Sequence, residues 1–440
     1  MQPRKFVDLF AGCGGFSLGL SMAGLRGLFS IERDQMAFET FAHNFVRSGS
    51  PDASRFDWPD WLETRAWGID EALDKHKAEL ESLRGSVDVL AGGPPCQGFS
   101  FAGRRIEDDP RNRLFEKYVE VVEAVQPAAL ILENVPGMRV AHKSSFGAHS
   151  HERAKPSRKS FYEKLTESLE DKGYEVRGML LDASRFGVPQ RRSRLIAIGI
   201  RRDLARWLDG GIDRAFELVE IARTQQLCDL GLGEVVSARD AISDLEIADR
   251  SLFPCVDDQS PKGYVEVRPD IARTTFQRLM REGAIGTPNS LRLARHRADV
   301  QDRFSRILSE CRKGVRMDDA ARLGFGLRKH RIYPMSPTEP APTITTLPDD
   351  VLHYSEPRIL TVRESARLQS FPDWFEFKGK FTTGGDRRTR ECPRYTQVGN
   401  AVPPFLARAI GQAILMALDE IEARRDAASF VELPSMAAAE

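Results

Sequence analysis

Cysteine is scarce in this sequence, and the six residues present lie far apart. They occupy positions 13, 96, 228, 255, 311 and 392, and no two of them form a Cys-x-x-Cys pair. A disulfide framework or a structural zinc site needs cysteines at closer, paired spacings. The sequence therefore favours a protein of a reducing compartment, and we expect it to be cytoplasmic.

Long apolar runs are also missing. A membrane helix needs about 20 consecutive apolar residues, and no run in the 440 residues approaches that length. Residues 1–5 lead directly into a strand pattern and carry no signal-peptide core. We therefore expect no membrane partner.

Net charge is absent as well, since 64 basic residues balance 64 acidic ones. Taken alone, this balance speaks against nucleic-acid binding. The charges are unevenly distributed, however. Residues 207–270 carry 6 basic and 14 acidic side chains, whereas residues 271–331 carry 15 basic and 6 acidic ones. The second stretch would attract a polyanion, although a solvated helical surface would show the same excess.

Short apolar runs alternate with helical patterns through the first 200 residues. This alternation predicts an α/β fold with a parallel, doubly wound sheet, and continuous apolar strands fit a sheet that is buried on both faces. The predicted strands are residues 6–10, 28–31, 87–90, 129–132 and 195–199.

The strand–helix rhythm stops after residue 201 and a helical pattern returns from Pro404. We therefore expect a catalytic domain of residues 1–205 that is completed by residues 395–440, with a second domain of residues 206–394 inserted between them. Residues 141–160 are polar and aperiodic, which predicts a loop. Two histidines in that loop are better explained by solvation than by a metal, and we expect no metal site.

A glycine-rich turn follows the first predicted strand. Residues 10–15 read Phe-Ala-Gly-Cys-Gly-Gly, and Glu32 ends the second strand 17 positions after Gly15. Glycines let the backbone approach a ligand closely, and an acid at this spacing can accept both ribose hydroxyls of an adenosine. This geometry suits NAD and S-adenosylmethionine equally.

Cys96 follows the apolar run of residues 87–91, in the stretch Pro94-Pro95-Cys96-Gln97. Ligands of open α/β sheets bind beyond the carboxyl ends of the strands, and two prolines stiffen this turn. A structural cysteine usually lies within an apolar run and is inert, as we expect of Cys13. We therefore predict that Cys96 is a nucleophile.

Glu133 follows the strand of residues 129–132, and Arg192 and Arg194 precede the strand of residues 195–199. A thiol and a carboxylic acid at adjacent strand ends suit nucleophilic attack with general acid catalysis. Alternation along an extended segment sends both arginines to one side, where they can hold a phosphate or a base carbonyl.

These blocks, in this order, resemble the DNA (cytosine-5)-methyltransferases. The resemblance covers residues 6–200 and 358–411 and leaves the central region with little likeness. The matching blocks are Asp8–Gly15, Gly93–Gln97, Glu133–Val135, Gln190–Arg194, Arg358–Pro372 and Gln397–Pro404.

The resemblance implies a Rossmann-like methyltransferase domain with an inserted target-recognition domain at 206–394, which includes the block Arg358–Asp373. It favours S-adenosylmethionine as cofactor over NAD. It also implies that Phe10 packs on the adenine, that Glu32 binds the ribose, and that Asp57, with Asp70 as the rival, contacts the adenine amine. The full predicted cofactor set is Phe10, Ala11, Gly12, Gly14, Gly15, Glu32, Arg33, Asp57, Pro94, Asn400, Ala401 and Val402.

The resemblance further implies a mechanism. Cys96 adds to carbon 6 of a cytosine that has been flipped out of double-stranded DNA, Glu133 shares a proton with ring nitrogen 3, and Arg192 and Arg194 complete the catalytic set. Residues 99–112 resemble a mobile loop that closes over DNA. The expected DNA contacts are Gln97, Ser100, Arg104, Arg105, Thr345 and Thr346, although residues 343–346 would also suit a plain β-edge segment.

Two other functions stay open at this point. An RNA methyltransferase of the same fold would carry a Cys-Phe-Thr signature near the C-terminal block, where this sequence has Glu391-Cys392-Pro393. A catalytically silent DNA-binding module would not need Cys96 and Glu133. We expect a monomeric enzyme of bacterial or phage type, and a separately acting restriction endonuclease is the further partner that this class implies.

Overall fold

The computed structural model describes residues 2–47, 55–94, 114–139, 159–327, 332–383 and 390–431. Six strands form the main sheet, and two pairs of two-residue strands lie outside it. The strands are β1 Lys5–Leu9, β2 Arg26–Ile31, β3 Val89–Gly92, β4 Ala129–Asn134, β5 Tyr174–Asp182, β6 Ser193–Arg201, β7 Phe253–Pro254, β8 Val265–Glu266, β9 Tyr333–Pro334 and β10 Val351–Leu352.

Helices cover both faces of the sheet and form most of the regular structure in the middle of the chain. The helices are α1 Gly15–Met22, α2 Gln35–Phe45, α3 Ile69–Lys75, α4 Lys77–Ser82, α5 Leu114–Val125, α6 Phe161–Asp171, α7 Arg202–Ala205, α8 Ile212–Asp229, α9 Ala238–Ile242, α10 Thr275–Arg281, α11 Ala298–Glu310, α12 Asp319–Gly324, α13 Val362–Leu368, α14 Arg394–Asn400 and α15 Pro404–Val431.

The strand order of the sheet is β2-β1-β3-β4-β6-β5. The first four strands are parallel, as predicted, but β6 runs antiparallel to both β4 and β5. The link from β5 to β6 holds only a short helical turn, at Ala183–Phe186. A parallel crossover needs a longer connection, usually with a helix, so this pair forms a hairpin. The sequence patterns did not predict β5 or the reversal.

Alternate strand residues enter two separate apolar layers. Val89 and Ile131 pack with α1, α2, α8 and α15 on one face, whereas Leu90 and Leu132 pack with helices α3 to α6 on the other. Strand side chains point alternately to opposite faces, and both faces here are covered. The expectation of continuous apolar strands in a doubly covered sheet is confirmed.

The segment Arg394–Ser429 is long and apolar enough to cross a membrane, but 78% of its most apolar window is buried inside the fold. Most of that segment is α15, which packs against α1 and α8. This burial is what a core helix of a folded protein shows. The predicted helix from Pro404 is confirmed and extends to Val431.

A capping box begins helix α9. The side chain of Ser237 accepts a hydrogen bond from the Asp240 backbone, and the Asp240 carboxylate accepts one from the Ser237 backbone. This reciprocal pair satisfies two backbone donors at the start of α9.

Candidate active site

Two of the predicted catalytic side chains, Glu133 and Arg194, meet because β6 is reversed. Residues that follow β4 and residues that precede β6 lie at the same sheet edge, since Asn134 pairs with Leu195. In an all-parallel sheet, residues before a strand would lie at the opposite edge. The antiparallel strand therefore brings Arg194 next to Glu133.

Glu133 and Arg194 form a close ion pair at this edge. The distance from Arg194 Nε to Glu133 Oε1 is 2.6 Å, and each side chain is 12% exposed. Burial lowers the pKa of the Arg194 guanidinium, and the adjacent Glu133 opposes that shift. Arg194 also donates to the carbonyl oxygen of Ser193 at 2.8 Å. The pair is thus shielded, with a small solvent-facing surface.

The chain that leads to the predicted nucleophile lies against Glu133. A Cβ placed on Gly93 would be 3.3 Å from Glu133 Oε2. Asn134 Nδ2 donates to the carbonyl oxygen of Pro94 at 3.0 Å, and Pro94 is buried. The acid therefore lies beside the residues that immediately precede Pro95 and Cys96 in the sequence. Several predicted residues lie outside the described residues, namely Cys96, Gln97, Ser100, Arg104 and Arg105.

The glycine turn after β1 and the acid after β2 form one cradle. Glu32 accepts hydrogen bonds from the backbone of Gly12 at 2.9 Å and of Asp34 at 2.7 Å. A Cβ on Gly12 would meet no atom within 4 Å, so open space adjoins this carboxylate. Loss of solvent raises the pKa of Glu32. An acceptor carboxylate beside an open backbone turn fits the ribose hydroxyls of a nucleoside.

Gly14 explains why this turn needs glycine. Its φ is +94°, and a Cβ there would come within 2.4 Å of the Phe45 ring. Only glycine enters this left-handed conformation without strain. Phe10 also has a positive φ, of 61°, and its backbone and that of Ala11 both donate to the Ile31 carbonyl.

The C-terminal part of the chain closes the same turn. A Cβ on Gly15 would lie 2.4 Å from the carbonyl oxygen of Val402 and 3.3 Å from the Cβ of Ala401. Asn400 ends α14 and is exposed. The structure thus brings the predicted cofactor residues at 10–15 and 400–402 together. Arg33 is exposed at the same end of β2.

Asp57 does not lie with the other predicted cofactor residues, and this placement contradicts its predicted role. Its carboxylate binds Arg26, the first residue of β2, at 2.6 Å, and its backbone donates to Gly27. Glu32 follows the other end of the same strand, so Asp57 is at the wrong edge of the sheet. The rival Asp70 is exposed and pairs with Lys117 at 3.7 Å. The residue whose backbone lies beside Glu32 is Trp67. Its backbone N–H donates to the backbone carbonyl oxygen of Glu32 at 2.8 Å.

Arg192 is close to the catalytic pair but is engaged elsewhere. It is 1% exposed, and its terminal nitrogens donate to the carbonyl oxygens of Ile344, Gly399 and Ala401 at 2.8 to 3.0 Å. These bonds correct the prediction that Arg192 holds a phosphate or a base carbonyl, since both of its terminal nitrogens donate to backbone carbonyls. Alternation along the strand could not reveal partners from residues 344 and 399–401.

The predicted DNA-contact threonines lie on a segment that packs beside residues 189–192. Thr345 is partly buried, and its hydroxyl donates to Asp350 at 2.6 Å. Thr346 is partly buried as well. The neighbouring Thr343 is exposed and donates to the Arg191 carbonyl at 2.7 Å.

Sequence reasoning gave no role to Asp8, a carboxyl group inside the sheet. It is 1% exposed and accepts a hydrogen bond from Ser17 at 2.6 Å. Burial raises the pKa of Asp8 to about 7, against the opposing effect of Ser17. The signal was present, because an acid inside an apolar strand requires a partner. Cys13 is buried, and burial raises the pKa of its thiol to about 12, in line with the expectation of a structural cysteine.

Comparisons with known proteins show which family this chain belongs to. The sequence profile described as C-5 cytosine-specific DNA methylase matches residues 4–416. The type II methyltransferase M.DdeI of Desulfomicrobium norvegicum is 30% identical over 434 residues, covering 96% of this chain and 91% of its own. The type II methyltransferase M1.HphI of Haemophilus parahaemolyticus is 31% identical over 413 residues, covering 93% and 86%.

One solved structure resembles the whole fold. It is described as a DNA modification methyltransferase encoded within a prophage of E. coli, has a TM-score of 0.59 and 23% identity, and the match covers 94% of this chain and 99% of that one. At this identity the likeness shows the fold alone, and it agrees with the observed sheet and its covering helices.

Proposed function

Because this chain belongs to the C-5 cytosine-specific DNA methylase family, we propose that it methylates carbon 5 of a flipped-out cytosine in a specific sequence of double-stranded DNA, through a covalent bond to Cys96. The observation that carries the mechanism is the Glu133–Arg194 pair beside Gly93. It holds an acid next to the segment that leads into Cys96.

Cytosine carbon 5 is a weak nucleophile until the ring is activated. In the proposed first step the Cys96 thiolate forms a bond to carbon 6, and the electron pair of the 5,6 double bond is pushed toward ring nitrogen 3. Glu133 supplies a proton to that nitrogen, so no charge accumulates on the ring. The result is an enamine whose carbon 5 is nucleophilic.

Arg194 has two roles in this scheme. Its ion pair with Glu133 fixes the carboxyl group, and its charge favours the anionic groups that the reaction needs, including the thiolate. Glu133 must lose its proton and regain it once per cycle. A buried partner at 2.6 Å keeps the carboxyl group in place during both transfers.

S-adenosylmethionine supplies the methyl group as an electrophile when it is bound. We propose that Phe10, Glu32, the turn at Gly12 and residues 400–402 hold it. The open space at Gly12 and the acceptor oxygens of Glu32 support this assignment.

The last chemical step is an elimination that returns Cys96 and Glu133 to their starting states. Loss of the carbon-5 proton to a water restores the 5,6 double bond and expels Cys96 as thiolate, while the nitrogen-3 proton returns to Glu133. A stacked cytosine cannot expose carbon 6 to a thiol, so the base must be flipped out. Gln97, Ser100, Arg104, Arg105, Thr345 and Thr346 remain our proposed DNA contacts.

We also propose that residues 1–205 with 395–440 form the catalytic domain and that residues 206–394 select the DNA sequence. We infer that the enzyme acts as a monomer in the cytoplasm. The bacterial origin of the related type II methyltransferases supports that location.

The test is methylation of plasmid DNA in cells that express the protein, followed by bisulfite sequencing. We expect protected cytosines at one recurring short sequence. Glu133→Gln should lower the purified enzyme's methylation rate by about 10²- to 10⁴-fold and leave DNA binding intact. Glu123→Gln, which alters an exposed acid paired with Lys172, is the control and should retain full activity. Methylation found only in RNA, or no methylated cytosine, would overturn the proposal.

A further inference from the structure

Arg192 offers an assignment beyond the catalytic pair, and it rests on the proposed function. We propose that Arg192 is a positioning residue that couples DNA binding to cofactor binding. It joins two segments, namely the recognition segment, residues 341–346, and the cofactor turn, residues 399–402.

The guanidinium of Arg192 bridges these segments directly. One terminal nitrogen donates to the carbonyl oxygen of Ile344 at 3.0 Å. The other donates to the carbonyl oxygens of Gly399 at 2.8 Å and Ala401 at 3.0 Å. A guanidinium is planar and rigid, so its two ends fix the spacing of the groups that they bind. The side chain is 1% exposed, so water cannot easily replace these bonds.

A second bridge of two buried amides runs parallel to the first. Gln190 accepts from the Ile344 backbone at 2.8 Å and donates to the Gln369 side chain at 2.9 Å. Gln369 then donates to the carbonyl oxygen of Val398 at 2.8 Å. Both glutamines are fully buried. The recognition segment and the chain that enters the cofactor turn are therefore linked twice through side chains.

The two segments also touch through their backbones. A Cβ on Gly399 would lie 2.4 Å from the carbonyl oxygen of Thr345 and 2.7 Å from the nitrogen of Thr346. No side chain fits between them. A displacement of the recognition segment must therefore displace the cofactor turn or break the contact, since packed interiors do not deform freely.

Each segment reaches one of the two proposed ligand sites. The cofactor turn contacts the glycine turn, because the Val402 carbonyl lies 2.4 Å from a Cβ position on Gly15. The recognition segment carries the exposed Thr343 and the proposed DNA contacts Thr345 and Thr346. Arg192 also immediately precedes β6, the strand that holds Arg194. DNA that orders the recognition segment would thus order the cofactor turn, and the reverse must hold by linkage.

The experiment measures the dissociation constant for a cognate duplex with and without S-adenosylhomocysteine, and that of S-adenosylhomocysteine with and without the duplex. For the native chain we expect each ligand to tighten the other by about tenfold, within the usual range for coupled sites. Arg192→Lys can reach one segment but not both. We expect its coupling factor to fall at least threefold but not to one, because the glutamine bridge and the backbone contact at Gly399 remain, while each ligand alone binds within about threefold of native.

Arg363→Lys is the matched control. Arg363 is also fully buried and donates to the backbone carbonyls of Asn289, Pro372 and Phe375. None of these bonds reaches the recognition segment or the cofactor turn. Its loss of thermal stability should resemble that of Arg192→Lys, but its coupling factor should stay native. A merely structural role for Arg192 would make the two variants behave alike.

Native coupling in Arg192→Lys, or no coupling in the native chain, would overturn the proposal. If Arg192→Lys does not fold, Gln369→Met decides the question, because it removes the bond to Val398 and should reduce the coupling at least threefold. Failure of the proposed function gives a different result, namely a native chain that does not methylate DNA. Failure of the coupling alone leaves native methylation intact.

Discussion

The sheet and the middle region, residues 206–394, differ in how many buried charges their interiors hold. In the sheet, alternate residues such as Val89 and Leu90 are fully buried in apolar layers on both faces. In the described part of the middle region the strands are only two residues long. Its interior combines apolar clusters with buried ion pairs, in which Arg367 is bound to Asp244 at 2.5 Å and to Asp373 at 2.7 Å.

This difference changes what a single substitution does. An apolar core loses contacts in proportion to the volume removed. A buried ion pair that loses one partner leaves an unpaired charge in a low-dielectric interior, which costs more than the pair contributed. We therefore infer that the middle region tolerates loss of charge poorly, although little of it is regular secondary structure.

The two regions also treat buried carboxyl groups in opposite ways. In the sheet, burial raises the pKa of Asp8 to about 7, and the hydrogen bond from Ser17 offsets only part of the shift. In the middle region, burial alone would raise the pKa of Glu364, but Arg358 beside it holds that pKa below the usual range. The two regions should therefore respond to pH with opposite signs.

The largest expected effect is that of Arg367→Met. Removing this guanidinium leaves Asp244 and Asp373 in the interior, and we expect the free energy of unfolding to fall by about 3–5 kcal/mol. Urea denaturation measures it, with hydrogen exchange to locate the loss in the middle region. A cost below about 1 kcal/mol would remove the distinction between the two regions.

Asp8→Asn should raise the free energy of unfolding, whereas Arg367→Met lowers it. An acid whose folded pKa is raised loses stability as the pH rises from its unfolded pKa, near 4, to its folded pKa, near 7. The amide can keep the bond to Ser17 and never ionises. We expect the variant to gain about 2 to 4 kcal/mol over native at pH 8 and little at pH 4, as thermal unfolding at both values would show. An equal effect at both pH values would contradict this.

Glu364→Gln should remove part of the acid sensitivity of the middle region. The lowered pKa of Glu364 stabilises the fold above the unfolded pKa, and that contribution is lost as the pH falls through the folded pKa. We expect the variant to lose about 1.5–3 kcal/mol at pH 7 and much less at pH 3. If the curves of stability against pH are parallel for the native chain and the variant, the Glu364–Arg358 pair does not contribute to the acid sensitivity.

Arg306→Ala should change the free energy of unfolding least, and it is the reference for the other substitutions. Arg306 pairs with Glu310 on the exposed surface of α11, four residues apart. Solvent and salt screen such a pair, so we expect a change of about 0.5 kcal/mol or less in the free energy of unfolding. A loss as large as that of Arg367→Met would mean that burial does not set the cost.

The sequence patterns were sufficient for the four parallel strands, β1 to β4, and for the residue types at their carboxyl ends. Apolar runs, the glycine turn and acids at strand ends report local chemistry, and the predicted fold class, family and enzyme class are confirmed. The hairpin β5–β6 was missed because β5 lies at the sheet edge and lacks a continuous apolar run. That reversal is nevertheless what brings Arg194 to Glu133.

The remaining contacts depend on residues that are distant in the chain. Arg192 meets carbonyls more than 150 positions away, and Arg367 and Asp244 are 123 positions apart. No local pattern encodes such pairings. Asp57 was misplaced for the same reason, because the path of the chain between β2 and β3 decides which sheet edge an acid reaches.

The most direct test of the proposed chemistry is covalent trapping on DNA that carries 5-fluorocytosine at the recognised site, with S-adenosylmethionine present. Fluorine at carbon 5 cannot leave as a proton does, so the bond from Cys96 to carbon 6 should persist. We predict a denaturation-resistant protein–DNA adduct whose peptide maps to Cys96 and which Cys96→Ala does not form. An adduct that survives Cys96→Ala, or the absence of any adduct from an enzyme that methylates the same site, would contradict the mechanism.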